Sequence, residues 1–468
     1  MCDAGLVDTG GPRALRSYPR DPAGWATRRE DNFARMLDLV CLAHPYYRQV
    51  FAARGLRRET FRSLSDIASI PPIDKAVFAA QPEAFTLDAA ALADRGIEER
   101  TTWQVVYTTG TTGGPTPFVD TAHDHYSRVW QMRLAAEIAG ITEHDHVLNL
   151  MPLTSIPHQG FLSATYGPLA IGAPLVAGLG GRPYAEFPVQ RELDDIVRLA
   201  ARHRITVLWG IATFTRRFLV RAGELGADLG SVRTVLAMGE ACPAGMRQDM
   251  RARLAALGAR EVRILNGYGF TEMQGPTMEC DEGAGFHVPN PAEYHFEILD
   301  PEELRPLPDE ATGVVTVSHL NRRGTVLLRY MTGDVSALTN APCGRCGRAG
   351  PRFTVTPYRL SGLTKVKGVL VNPASLQEAL AEVSGLAAYQ IVVSKERGDP
   401  YGLDELTVRI LCAPQDVPLV SADIVRRLRS VCEITPRVER VPPELGAQWA
   451  AGYKHESFVD IRNRPRLS

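Results

Sequence analysis

From Trp103 onward, short apolar runs alternate with longer stretches in which apolar residues recur every three or four positions. Val147-Leu148-Asn149-Leu150, Thr206-Val207-Leu208-Trp209, Val235-Leu236-Ala237-Met238 and Val262-Arg263-Ile264-Leu265 have the length and composition of buried strands. Glu192 to His203 and Gly245 to Leu257 read as helices between them. Such alternation predicts an α/β fold with parallel or mixed sheets and ligand loops at the C-terminal ends of strands. Tyr294 to Leu299 and Gly313 to Ser318 read as strands of a smaller β-rich subdomain, extended by Thr325 to Arg329. Upstream, residues 1 to about 100 read as helical. Arg28 to Phe51 mixes Met36, Leu37, Leu39 and Val40 with charges, and the turn Ile70-Pro71-Pro72-Ile73 follows.

A break falls near Arg359-Leu360-Ser361-Gly362. Beyond it, Val369 to Val371, Tyr389 to Val393 and Leu406 to Cys412 read as strands, with helices at Pro373 to Val383 and Ser421 to Val431. The expectation is a large N-terminal domain over 1–358 and a small α+β domain over 359–468. At 468 residues the chain exceeds what one core sustains. Ser361 and Gly362 suit a hinge, and equally a plain surface turn.

Hydrophobic content of 45% and charged content of 22% are those of a globular protein. A formal net charge of -1 gives no electrostatic reason to expect a nucleic-acid or membrane partner. Met1 to Pro22 has no continuous apolar core, and no run approaches the ~18 apolar residues of a membrane span. A cytoplasmic location is the expectation.

Three of the eight cysteines and one histidine form a pattern: Cys343-Gly344-Arg345-Cys346 is a CxxC turn, and Cys280 and His287 lie upstream. Three thiolates and one imidazole make a closed tetrahedral set suited to structural zinc, unless Cys280 and His287 are unrelated to the CxxC. Cys2, Cys41, Cys242, Cys412 and Cys432 read as ordinary thiols.

Val106-Tyr107-Thr108-Thr109-Gly110-Thr111-Thr112-Gly113-Gly114-Pro115-Thr116 follows the β-prone run Trp103-Gln104-Val105-Val106. Glycines let successive N–H groups converge on an anion and threonine hydroxyls add donors, so the stretch reads as a phosphate cradle or, alone, as a flexible turn. It lacks the lysine of the GxxxxGK[ST] loop. Asn266-Gly267-Tyr268-Gly269-Phe270-Thr271-Glu272 puts an aromatic ring, a hydroxyl and a carboxylate on one short loop at a strand end. Tyr330-Met331-Thr332-Gly333-Asp334 supplies a loop carboxylate suited to a ribose diol.

In this order and spacing the three segments resemble the adenylate-forming superfamily, and most of all its phenylacetate–CoA ligase branch, over most of the chain. The resemblance implies that Thr108, Thr109, Gly110, Thr111, Thr112 and Gly113 wrap the ATP phosphates. It implies that Tyr268 stacks on adenine, Thr271 contacts phosphate, Glu272 holds Mg2+, and Asp334 and Arg359 bind the ribose. Gly239, Glu240, Ala241, Asn266 and Gly269 complete the expected nucleotide site. The C-terminal domain becomes a mobile lid whose Lys454, six residues before Asp460, serves adenylation. Glu456 and Ser457 replace basic residues expected after it, so a solvated tail lysine is the other reading. Gly114 stands where many relatives carry lysine.

By family position the acid pocket is lined from Leu153 to Tyr166 and by Met238, Gly239, Met273 and Gln274, with His158, Phe161 and Trp209 as walls. His158 is equally an ordinary loop histidine. The expected activity is ATP-dependent conversion of an aromatic acid to acyl-AMP, then to a thioester of CoA or a carrier-protein thiol. The alternatives are a diazotase that adenylylates nitrite and turns an aminoaryl acid into a diazonium, and a non-catalytic nucleotide binder. ATP, Mg2+, zinc and CoA are the implied cofactors, a small-molecule acid the substrate; an acyl carrier protein and homodimerisation stay open.

Overall fold

The computed structural model describes residues 22–107, 116–153, 159–180, 189–239, 241–360, 364–366, 369–371, 373–395, 404–432, 434–451 and 456–462. The Thr/Gly loop from Thr108 to Gly113, His158, Glu240, Ser361-Gly362 and Lys454 lie outside the described residues. Two compact units form, one from Met1–Cys242 and Met250–Pro357, the other from Pro243–Asp249 and Tyr358–Ser468.

In the first unit a mixed sheet runs in spatial order through Leu175–Ala177, Val147–Leu150, Val207–Ile211, Thr234–Met238 and Arg263–Tyr268. It continues through Thr277–Glu279, Phe286–His287, Arg352–Phe353, Tyr330–Thr339, Thr312–His319 and Tyr294–Leu299. The first five strands pair parallel. From Arg263–Tyr268 onward the pairs along this path are antiparallel. Val207–Ile211 and Thr234–Met238 are buried throughout, and the helices Gln159–Ile171 and Ala212–Glu224 pack on the parallel strands. Burial of these parallel strands requires near-continuous apolar runs, which is why they are readable in the sequence.

The antiparallel half shares its core with the N-terminal helices: Phe33, Met36, Tyr47 and Phe51 pack with Val315, Val317, Leu328 and Tyr330. The helix expected from Arg28 to Phe51 is two helices, Pro22–Ala43 and Pro45–Arg54. Pro45 supplies no N–H and forces its predecessor out of the helical region, so His44 sits at φ -98, ψ 107. His44 Nδ1 accepts the Tyr47 N–H at 3.2 Å, which leaves Nε2 to donate to the Val326 carbonyl at 3.0 Å.

Thr325 to Arg329 is not a strand. Its backbone groups go instead to scattered partners: Thr325 N–H to the Val119 carbonyl, Val326 N–H to Phe85, Leu328 N–H to the Tyr47 hydroxyl and Arg329 N–H to Ser318 Oγ. Arg329 also takes a φ of 50°, which no ladder accommodates. Thr332-Gly333-Asp334, read as a loop, lies within the Tyr330–Thr339 strand at an irregularity in its pairing with Thr312–His319.

The Thr/Gly loop joins two antiparallel strands, Thr102–Tyr107 and Pro117–Thr121, paired up to Tyr107↔Pro117. Asp120 anchors that hairpin. It is fully buried and accepts from Arg128 and from Arg322, whose guanidinium also lies 4.7 Å from the Phe118 ring centroid. Asp124 caps the following helix and lies 3.6 Å from Arg322. Burial alone would raise the Asp124 carboxyl, yet Arg322 and the surrounding N–H donors bring it below the ordinary aspartate range.

The second unit holds the sheet Arg437–Arg440, Asp404–Leu411, Ala388–Lys395, Phe458–Asp460. Its core is formed by Leu376, Leu380, Ile391, Val408, Ile424 and Leu428, with helices Pro373–Ala381 and Val417–Cys432. Phe458–Asp460, too short to stand out as a strand, pairs parallel to Ile391–Val393. Among the described residues no helix is long and apolar enough to cross a membrane.

Burial lowers His44 from 6.5 to about 4, against the raising effect of its backbone hydrogen bonds. The unfolded chain therefore binds the extra proton first, and stability is lost as pH falls from 6.5 toward 4. The expected slope from this group is at most about 1.4 kcal/mol per pH unit. Unfolding free energies measured by urea between pH 7 and 4.5 should show a shallower slope in His44→Gln than in the parent.

Candidate functional site

Tyr268 ends the strand at which the two halves of the sheet meet, and pairs with Thr277. Its half-buried ring lies edge-on to Phe353, with centroids 5.7 Å apart. Its hydroxyl donates to Asp334 Oδ2 at 2.8 Å, so the second and third motifs meet across the sheet. Asn266, buried just before, has its N–H bonded to Glu279 Oε2 at 2.7 Å. Gly269 packs so closely on the returning chain that a Cβ would stand 2.9 Å from the Gly275 carbonyl oxygen.

Asp334 is only 6% exposed. Gly333, at φ 76°, turns the strand locally. Thr332 Oγ1 donates to the Val315 carbonyl at 2.9 Å and accepts the Asp334 N–H at 3.1 Å. The irregularity thus converts a strand position into a fixed carboxylate mount.

Thr271–Met273 forms a single 3-10 turn after Phe270. Glu272 within it is 5% exposed, and its Oε1 accepts the Tyr330 hydroxyl at 2.6 Å. Among the described residues no cationic side chain pairs with this carboxylate. A buried anion of that kind is costly unless a cation shares the site, so its chemistry fits a hard divalent metal.

Other expected residues are more dispersed. Met238 ends the adjoining parallel strand, and its sulfur occupies the space beside Gly267. Gly239 follows at φ 78° and is exposed, as is Ala241. Trp209 is 2% exposed with its ring against Gly167. Met273 is fully buried among the aromatic residues of the core, while Phe161 is half-buried on the Gln159–Ile171 helix. Arg359 lies on the short strand Tyr358–Arg359 of the second unit. A groove of about 590 Å3 lies elsewhere, lined by Asp194, Arg198, Arg221 and Glu224. Arg221 bridges Asp194 and Glu224 there, so the groove is electrostatically self-satisfied.

Cys280, His287, Cys343 and Cys346 converge. Their ligand atoms all lie within 4.8 Å of one another, with Cys280 Sγ 3.9 Å from Cys343 Sγ and Cys346 Sγ 3.7 Å from His287 Nε2. A tetrahedron with metal–sulfur bonds of about 2.3 Å has edges of about 3.8 Å, so the set fits one ion. Burial lowers His287 to about 4, leaving a neutral imidazole at pH 7. Tyr330, His319 and Tyr294 bond to the Glu272 turn, contacts that the sequence did not signal. Tyr330 stood inside a quoted motif, but nothing in the string distinguished its hydroxyl from a core ring.

The AMP-binding enzyme family matches residues 56–322 of the chain. Phenylacetate-coenzyme A ligase of Thermus thermophilus is 24% identical over 470 residues, spanning 96% of this chain and 98% of its own length. The phenylacetate-coenzyme A ligase of Escherichia coli is 25% identical over 78% of this chain and 77% of its own. Among solved structures, 2-hydroxyisobutyryl-CoA ligase in its postadenylation state with R3-HIB-AMP has a similar fold, with a TM-score of 0.77 at 18% identity. That likeness covers 95% of this chain and 90% of the other.

Because the Gly269 contact is with backbone, Gly269→Ala must displace either the Phe270 segment or the Gly275 segment. It should destabilise the protein by about 1–3 kcal/mol in thermal or urea unfolding. A variant as stable as the parent would show that the two segments are not held together this closely.

Proposed function

The chain belongs to the family of AMP-binding enzymes, in its phenylacetate–CoA ligase-like branch, and we propose that it activates an aromatic carboxylic acid with ATP and transfers the acyl group to the thiol of coenzyme A. In the first half-reaction a carboxylate oxygen attacks the α-phosphorus, the α–β anhydride bond breaks, and pyrophosphate leaves with the electron pair. In the second, the thiol sulfur attacks the acyl carbon, its proton is released, and AMP departs.

The observation that carries this reading is the buried carboxylate of Glu272, without a cationic partner among the described residues, four positions after a tyrosine that holds Asp334. We assign Glu272 to Mg2+, which when bound offsets charge on the phosphate oxygens. Thr271 supplies a hydroxyl to phosphate, and the hairpin loop Thr108 to Gly113 cradles the remaining phosphates. Tyr268 offers its ring to adenine while its hydroxyl keeps Asp334 oriented toward the ribose diol, aided by Arg359. Asn266, Gly239, Glu240, Ala241 and Gly269 complete the nucleotide surface. The unit beginning at Tyr358 serves as the lid, and its Lys454 stabilises the adenylating transition state.

The choice of an aromatic acid draws on the two relatives named phenylacetate-coenzyme A ligase. The candidate walls of its pocket are Phe161, Trp209, Met238 and Met273, of which Trp209, Met238 and Met273 are buried, with His158 and the bare backbone of Gly239. We assign Cys280, His287, Cys343 and Cys346 to one structural zinc. The four ligands leave no open position, so this ion holds chain segments and takes no part in the chemistry.

Purified protein should contain about one zinc per chain by elemental analysis. Cys343→Ser should lower both the metal content and the melting temperature, because structural metal binding contributes directly to folding. Metal-free protein of unchanged stability would remove the assignment.

Pyrophosphate release, screened over acids and nitrite with and without CoA, tests the activity. Aromatic carboxylates should stimulate ATP consumption and fatty acids should not, with an aryl thioester formed only when CoA is added. Turnover supported by nitrite with an aminoaryl acid, independent of CoA, would replace this reading with diazotisation on the same nucleotide site. Thioester formation only with an acyl carrier protein would change the acceptor alone.

A further inference from the structure

The short turn that carries Glu272 is held by a set of buried side chains that the reaction itself does not call for. Its three successive carbonyls each accept a side-chain donor. Gln274 Nε2 donates to the Thr271 carbonyl at 2.6 Å, His319 Nε2 to that of Glu272 at 2.8 Å, and the Tyr294 hydroxyl to that of Met273 at 2.6 Å. The His319 tautomer is fixed from its other side, since Nδ1 accepts the Leu327 N–H at 3.0 Å and Nε2 must therefore carry the proton. Burial keeps that imidazole neutral, so it acts as a plain donor.

Tyr330 then holds the carboxylate itself through Oε1. This phenol is 1% exposed, its backbone is pinned by bridging to Ile73, and Phe78 packs edge-on against its ring at 6.2 Å. Among the described residues Glu272 Oε2 has no donor, so one oxygen is fixed and the other is left for a ligand.

We propose that Tyr330 and His319 are positioning residues for Glu272, presenting one carboxylate oxygen to the ATP-bound divalent cation with its side chain and main chain both immobilised. The arrangement is reciprocal: Tyr268, on the segment of Glu272, holds Asp334, while Tyr330, on the segment of Asp334, holds Glu272. Each motif thereby aligns the other's acid. This inference rests on the assignment of Glu272 to the cation.

The test uses Mn2+ as probe, titrated into full-length protein with ATP and followed by electron paramagnetic resonance, alongside the Mg2+ dependence of pyrophosphate release. Tyr330→Phe should weaken Mn2+ binding about 10- to 100-fold, as loss of an outer-shell partner commonly does, with KM for ATP at saturating Mg2+ nearly unchanged. Tyr47→Phe is the control. It removes an equally buried hydroxyl, bonded to the Leu328 backbone and not to Glu272, and should lower melting temperature without altering Mn2+ affinity. His319→Ala should weaken Mn2+ binding, and His319→Gln, whose amide N–H reaches the Nε2 position, should restore it. If Tyr330→Phe behaves like Tyr47→Phe, or both His319 variants bind Mn2+ normally, the positioning role is wrong. Normal Mn2+ binding in Glu272→Gln would instead overturn the assignment of the cation, and the inference with it.

Discussion

Removing a carboxylate from water without a partner costs several kcal/mol, and the neighbourhood of Glu272 is shaped by that cost. A phenol hydrogen bond to one oxygen recovers part of it. On the proposed reading a cation offsets the remainder. The donors on the three turn carbonyls serve the same end, because an immobile carboxylate gives up little conformational freedom when a metal arrives.

That neighbourhood depends on the strand from Arg263 to Tyr268. On one side lie parallel strands buried between helices; on the other, an antiparallel series runs out to Tyr294–Leu299. Residues that meet come from the end of this seam and from a strand of the antiparallel series. Tyr268 reaches Asp334 although 66 positions separate them, and Tyr330 reaches Glu272 over 58. The N-terminal helices matter for a related reason. By packing Tyr47 and Phe33 into the antiparallel half they support the same core that backs Tyr330.

The parallel strands and the helices between them were legible because burial imposes continuous apolar runs, which carry their own period. The nucleotide motifs were legible through the resemblance of their order and spacing to those of the adenylate-forming superfamily. Tertiary partners explain the differences. Thr325 to Arg329 has strand-like composition, yet its N–H groups are taken by Val119, Phe85, Tyr47 and Ser318. The helical reading of Arg28 to Phe51 left out the break at His44, which Pro45 imposes. Tyr330 and His319 were invisible as site residues, since a buried tyrosine that fills a core and one that orients an acid look identical in a string. The convergence of Cys280 and His287 with the CxxC turn was readable only as one of two possibilities, and folding brings the four together.

The cysteine–histidine cluster has a topological consequence. The chain passes His287, traces the three antiparallel strands from Tyr294 to Thr339, and returns at Cys343 to the same spot. Everything between is a cassette whose two ends coincide in space. Its strands also bond back to the rest of the unit, through Arg322 to Asp120, Tyr330 to Glu272 and Asp334 to Tyr268, so changes of length are tolerated only at its outer turns, away from these contacts. Asp334, Tyr330 and His319 all ride on it, so a change of course in this one segment displaces the partners of Tyr268 and of the Glu272 turn together.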